Sequence, residues 1–257
     1  MGNITVSPSK AKELLTEVFL FNFERFEKNL GRSIKGHDSY IIPFFVGPPG
    51  IGKTSIAKQV ANECGVSYFG TIVAQYDPGE LAGLPFMGQK KVVRMLDGEP
   101  HEVMEDRMIR LRPSYLPDIH DPEQQVGIYN LDELPQTMLA GQNVMSQLVN
   151  EYRIGEHEIS QGITICCTGN RPEDRAGTNP MPAHLKDRLM FVHLEANSDD
   201  WLRYAAQKGL NPILRTYIRQ FSDRLMKFDP KANASPTPRS WEKVSDIMSM
   251  KLTEDLR

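Results

Sequence analysis

Eight consecutive residues, Gly47-Pro48-Pro49-Gly50-Ile51-Gly52-Lys53-Thr54, have the composition and spacing of a loop that wraps a polyphosphate. The glycines let the backbone approach an anion closely and turn successive N–H groups inward, and a helix opening at Lys53 or Thr54 adds its positive end. Lys53 would reach the β- and γ-phosphates as a point charge. The Thr54 hydroxyl would occupy one coordination position on Mg2+, and Ser55 joins the same nucleotide-binding set. The bland alternative is a glycine-rich turn with no ligand. The strand-loop-helix setting, with Phe44-Phe45-Val46 running into the loop, argues against it.

A second group of residues supplies the chemistry such a loop lacks. Asp132-Glu133 ends the apolar run Val126-Gly127-Ile128-Tyr129-Asn130-Leu131. Asp132 would hold Mg2+ through water, and Glu133 would polarise the water that attacks the γ-phosphate. Paired acids at a strand end are common by themselves; the upstream loop gives this pair its meaning. Asn170, in Thr168-Gly169-Asn170-Arg171, could reach the same water, or could simply form a turn.

Positioning these residues takes alternating strands and helices. A strand at about Ile41 to Val46, the loop, and a helix from Lys53 to Cys64 form the first unit; Val66 to Val73 is the next strand. Val126 to Leu131 is the third strand, a helix from about Gln136 to Glu151 follows, and Ile163 to Thr168 is the fourth strand. Such alternation predicts a parallel sheet, whose carboxyl edge is where ligands bind. Ahead of it, apolar positions from Ala11 to Leu30 predict a core-packing helix. Between Leu81 and Asp121 the pattern breaks into an insertion, with a hairpin expected about Asp97-Gly98 and another near Gly155. Pro100 weakens the second arm of the first hairpin. Asn197-Ser198-Asp199-Asp200 caps a helix starting near Trp201, beyond which only helices are expected.

Composition narrows the classes. At 257 residues the chain can bury a core of its own. A formal net charge of -3 gives no bulk attraction to nucleic acid. Cys64, Cys166 and Cys167 suit neither a disulfide framework nor a zinc site, which points to a reducing, cytoplasmic setting. Met1 to Lys12 lacks a basic region followed by an apolar core, and no apolar stretch is long enough to span a bilayer. A protein without a targeting signal or membrane partner is expected.

GPPGIGKT, YNLDE, TGNRP, HLKDRL and SPTPRSW occur in the order and approximate spacing of AAA+ ATPases. Through DPGELAGLPF and PTPRSWEKVS the chain resembles their MoxR-like branch, over roughly residues 36–250. The resemblance implies an α/β domain with a parallel sheet of order 5-1-4-3-2 over residues 36–196, carrying an insertion at about 84–118. A small all-α lid over 197–257 follows it, and a helical segment over 1–35 precedes it. It further implies ATP and Mg2+ as ligands and a homo-oligomeric ring, usually hexameric, with nucleotide between neighbours. By that likeness Asn170 corresponds to sensor 1, and Arg188 to the finger inserted into the adjacent subunit's site. Arg239, in Pro236-Thr237-Pro238-Arg239, corresponds to the sensor 2 arginine of the lid. Arginine suits the finger because its charge is permanent and its fork spans phosphoryl oxygens. Arg171 and Arg175 compete for that role, and Arg188 has the alternative of an ion pair with Asp187 or another acid. Two positions depart from the pattern. Tyr129-Asn130 interrupts an otherwise aliphatic strand, leaving Asn130 to bond a neighbouring loop or the water shell of the metal. Asp187-Arg188-Leu189 stands where Arg-Phe is usual.

Three functions fit. The leading one is a ring ATPase that remodels a protein partner, such as a protein with a von Willebrand A domain, with the insertion near the pore and Phe86, Met87 or the Asp97-Gly98 tip gripping substrate. The second is a nucleic-acid motor or loader; the insertion's Lys90, Lys91, Arg94, Arg107, Arg110 and Arg112 stand among almost as many acids. The third is a nucleotide switch with little turnover, against which Glu133 argues.

Overall fold

Strands whose residues are buried on both faces belong in the middle of a parallel sheet, and two runs meet that condition at every position: β2 (Pro43–Val46) and β9 (Gly162–Gly169). The computed structural model describes residues 4–30, 40–96, 98–174 and 176–250. The Asp97 tip, Arg175, and residues 1–3, 31–39 and 251–257 of the expected terminal segments lie outside the described residues.

In chain order, β1 (Ile4–Val6) leads into α1 (Pro8–Asn29). After β2 come α2 (Lys53–Cys64), β3 (Ser67–Ile72), α3 (Pro78–Ala82), and the long pair β4 (Pro85–Leu96) and β5 (Glu99–Arg110). Next are β6 (Val126–Asp132), α4 (Leu139–Glu151) and the short pair β7 (Arg153–Ile154) and β8 (His157–Glu158). β9 is followed by α5 (Ala183–Lys186) and β10 (Met190–Leu194), then α6 (Ser198–Gln207), α7 (Pro212–Gln220) and α8 (Pro238–Ser249).

Six strands make one parallel sheet in the order β1-β10-β2-β9-β6-β3. Leaving out β1, this is the expected 5-1-4-3-2 arrangement. β1 itself was not foreseen: three residues are too few for a periodic signal, and pairing with β10 makes them a strand.

Alternation along the strands sorts side chains into two layers. Phe44, Val46, Tyr129, Leu131, Ile163, Ile165 and Cys167 pack with α4 residues such as Met145 and Leu148. Phe45, Ile128, Cys166 and Val192 face the other way, onto Ala11, Leu15 and Phe19 of α1 and Ile56, Ala57 and Val60 of α2. A third cluster, Trp201, Ala205, Leu210, Leu214, Ile218 and Leu225, belongs to the helices after the sheet. Asn197 caps α6 as anticipated, accepting from the Asp200 N–H at 3.0 Å. Among the described residues no helix is long and apolar enough to cross a membrane.

Several boundaries differ from expectation. The helix placed at Gln136 begins at Leu139, because Glu133 turns left-handed and the chain first makes a tight turn over Leu134–Gln136. The insertion's hairpin is twice as long as foreseen, 12 residues on each arm, and Pro100 is accommodated opposite Met95 on a two-stranded ribbon whose outer edge needs no N–H. Its base is fixed to the short hairpin: His157 Nε2 bonds the Arg110 carbonyl at 2.8 Å and Lys90 pairs with Glu156 at 3.0 Å.

Candidate nucleotide site

The carboxyl ends of β2, β6 and β9 arrive at one edge, and the strand registers align Val46 with Gly169 and Leu131 with Cys167. Period-two alternation then decides which side chains face α2. Asp132 and Thr168 share the parity of Ile128 and Cys166, so both point to the side on which α2 begins. Thr54, in the first turn of α2, donates its hydroxyl to Asp132 Oδ2 at 2.7 Å. The Thr168 hydroxyl donates to Asp132 Oδ1. Asp132 is thus gripped by two hydroxyls and also accepts from the Glu133 N–H at 3.2 Å.

Lys53 opens α2 and folds back over the loop. Its Nζ donates to the carbonyls of Gly47 at 2.7 Å and Pro48 at 3.1 Å, and to Asn170 Oδ1 at 2.8 Å. Lys53, Thr54, Asp132 and Asn170, drawn from three segments, therefore meet at one place. Gly50 and Gly52 have φ of +79° and +105°, values that L side chains rarely adopt. A Cβ on Gly52 would meet nothing, so the loop is open there; one on Gly50 would lie 2.7 Å from the Thr237 hydroxyl oxygen. Glycine at 50 thus permits the close approach of the α8 cap, and the Arg239 N–H donates to the Gly50 carbonyl at 3.2 Å.

Burial is the main cause that lowers the Lys53 pKa to about 8 from 10.5; Asp132 and then Asp174 oppose the shift, while Arg239 and Arg171 add to it. A polyphosphate beside the ammonium would restore its proton. Binding should then take up a proton above pH 8, and the apparent Kd should rise by up to about tenfold per pH unit above that value. Calorimetric titrations at pH 7, 8 and 9 in buffers of different ionisation enthalpy check this; pH-independent affinity over that range would contradict it.

The remaining candidates are placed as follows. Glu133 is exposed at the sheet edge, next to Asp132, with φ of +57°. Arg239 is exposed in the first turn of α8. Arg188 is exposed just past α5, and among the described residues it has no ion pair with Asp187 or another acid. Arg171 differs: its Nε and Nη2 bond Asp174 at 3.0 and 2.8 Å, and its N–H bonds the same carboxylate at 3.1 Å. Asp174 is buried, so the Arg171 guanidinium is held by a carboxylate three residues away in the same chain. Asn130 reaches neither a loop nor the sheet edge. It is fully buried between strands, where its Oδ1 accepts from Cys166 Sγ at 3.7 Å. Burial raises the Cys166 and Cys167 thiols well above their ordinary values, which makes both unreactive.

Sequence reasoning passed over Thr168 and Asp174. Thr168 lies two residues before Asn170, so strand period alone could have put it on the same face. Asp174 carried no such signal, because its pairing with Arg171 depends on a tight turn.

The donor set fits a hard divalent cation and a triphosphate: a hydroxyl and a carboxylate 2.7 Å apart beside a glycine loop and a lysine. Fold and loop together define a phosphate-loop protein with helices on both faces of a parallel sheet. A family model described as "ATPase family associated with various cellular activities (AAA)" matches residues 43–180, more than half of the chain, and the chain belongs to that family. Among solved structures it is similar to two mutant forms of RuvB from Thermotoga maritima, both at 13% identity. The TM-scores are 0.50 and 0.51, and the matches cover 91% of this chain. The chain spans 60–61% of the length of those structures. A comparison with curated protein sequences gives no match.

Proposed function

We propose that this chain is a Mg2+-dependent ATPase of the MoxR-like branch that turns over nucleotide as a ring and remodels a protein partner. The observation that carries the nucleotide reading is the meeting of Lys53, Thr54, Asp132 and Asn170 at the end of β2, β6 and β9. Lys53 binds phosphate oxygens, the loop N–H groups orient them, Asn170 holds Lys53 and the attacking water in line, and Glu133 accepts the water's proton. Thr54 and Asp132 would hold Mg2+, which when bound neutralises charge on the phosphates. Residues 197–250 act as the lid, since Arg239 and Thr237 already touch the loop at Gly50.

Arg188 is the arginine supplied to a neighbour's site. Its exposure supports that role, as does its having no ion pair among the described residues, whereas Arg171 is bonded to Asp174. The test is complementation. Arg188→Ala and Glu133→Gln should each be inactive alone, with a loss of about 1,000-fold for the finger. Mixed rings should regain turnover, because a Glu133→Gln subunit can lend its Arg188 to an intact site next door. Co-assembly without any recovery would overturn the shared-site ring.

Two observations favour a protein partner over nucleic acid. Five of the insertion's six lysines and arginines stand beside acids: Lys90 pairs with Glu156, Lys91 with Glu102, Arg94 and Arg107 with Glu105, and Arg112 with Asp118, while Arg110 donates to the Gly83 carbonyl. Such pairs leave little for counterion release on a phosphate backbone. One face of the β4–β5 ribbon instead presents Met87, Val93, Met95, Met104 and Met108, each 59–68% exposed, a surface suited to apolar polypeptide. A von Willebrand A domain protein is a partner of the kind the MoxR resemblance suggests.

A further inference from the structure

We infer that Asn179 is a positioning residue for water activation, one that clamps the turn carrying Glu133; the inference rests on the ATPase reading above. Glu133 has a φ of +57°, a conformation that non-glycine residues adopt at a cost and keep only where their surroundings impose it. Its side chain is exposed, and the direction in which that side chain leaves the chain is set by the backbone of the turn.

That backbone is held from two sides. On the inner side the Gln136 N–H donates to the Glu133 carbonyl at 3.0 Å, and Pro135 presses on Gly169 so closely that a Cβ there would lie 2.5 Å from the proline ring. On the outer side stands Asn179. Its N–H donates to the Pro135 carbonyl at 2.7 Å, and its Nδ2 donates to the carbonyls of Gln136 at 3.3 Å and Thr137 at 3.1 Å. One residue, more than forty positions away in sequence, thus satisfies three consecutive carbonyls of the turn after Glu133. Gln142 adds a second bond to the Thr137 carbonyl at 2.9 Å. A misplacement of an activating group by about 1 Å can cost about 100-fold in rate, so a turn loosened on this side should lose turnover while nucleotide still binds.

Two variants test the clamp. Asn179→Ala removes the side-chain donors, and Asn179→Asp keeps the shape while turning a carboxylate toward two carbonyls. Both retain the backbone bond to Pro135. Turnover per bound nucleotide should fall about tenfold or more in each, lowest in Asn179→Asp, with KM and nucleotide affinity unchanged. A general loss of structure would instead reduce the bound fraction and leave turnover per site intact. Amide exchange over residues 134–138 gives a readout independent of turnover, and should be faster in both variants. Turnover within about twofold of wild type together with unaltered exchange would overturn the inference. Wild-type protein that hydrolyses nothing would count against the ATPase reading instead, and the exchange result alone would then decide the clamp.

Discussion

Glu133→Gln should lower ATP turnover by about 100- to 10,000-fold while leaving ATP affinity unchanged, because the amide keeps the shape of the carboxylate but cannot accept the water's proton. The residue lies outside the packed core and bonds through its backbone, so the substitution should not disturb folding. The measurement is paired: nucleotide binding by calorimetry and phosphate release under saturating ATP. Loss of binding in this variant would mean that Glu133 supports the loop rather than the chemistry. Full turnover would remove it from the mechanism and revive the reading as a nucleotide switch.

Lys53→Met should produce the converse pattern. Nucleotide affinity should fall by about 100-fold, as loss of a charge-assisted hydrogen bond of about 3 kcal/mol implies. Stability should not fall with it. Lys53 is half-buried and its pKa is lowered first by burial, so the folded state carries a charging penalty that is present at pH 7 and relieved only as pH rises through about 8 toward 10.5. Methionine removes that penalty along with three hydrogen bonds. Thermal melts without nucleotide, at pH 7, should therefore place the variant at or near wild type, and added ATP should shift wild type alone. A variant that melts far lower would show that Lys53 is chiefly a staple of the loop.

How far these residues could be read in advance depended on how local their signals were. The loop from Gly47 to Thr54 is contiguous, and its glycines and lysine sit in a strand-to-helix setting that alternation reveals. Asp132 was legible because an apolar run ended there, and the sheet order followed from the resemblance carried by several ordered motifs. Residues whose partners lie far away in sequence were not legible. Asn179 contacts a turn more than forty residues earlier, and nothing about an asparagine before a proline distinguishes a clamp from an ordinary loop. Asp174 gained its meaning only when the chain turned it onto Arg171. The helix expected from Gln136 failed at its start for a physical reason: periodicity cannot register a single left-handed residue, and Glu133 is one. Asn130 was misplaced because its strand position fixes its face but not its depth, and it is fully buried in the middle of the sheet.

The glycine loop and the tip of β6 should hold one triphosphate between them. A crystal structure of the protein with Mg2+ and a non-hydrolysable ATP analogue decides this. Lys53 is expected on the terminal phosphates, with Thr54 and Asp132 around the metal and Glu133 facing the γ-phosphate. Nucleotide bound elsewhere, or phosphates that leave Lys53 and Asp132 untouched, would contradict it.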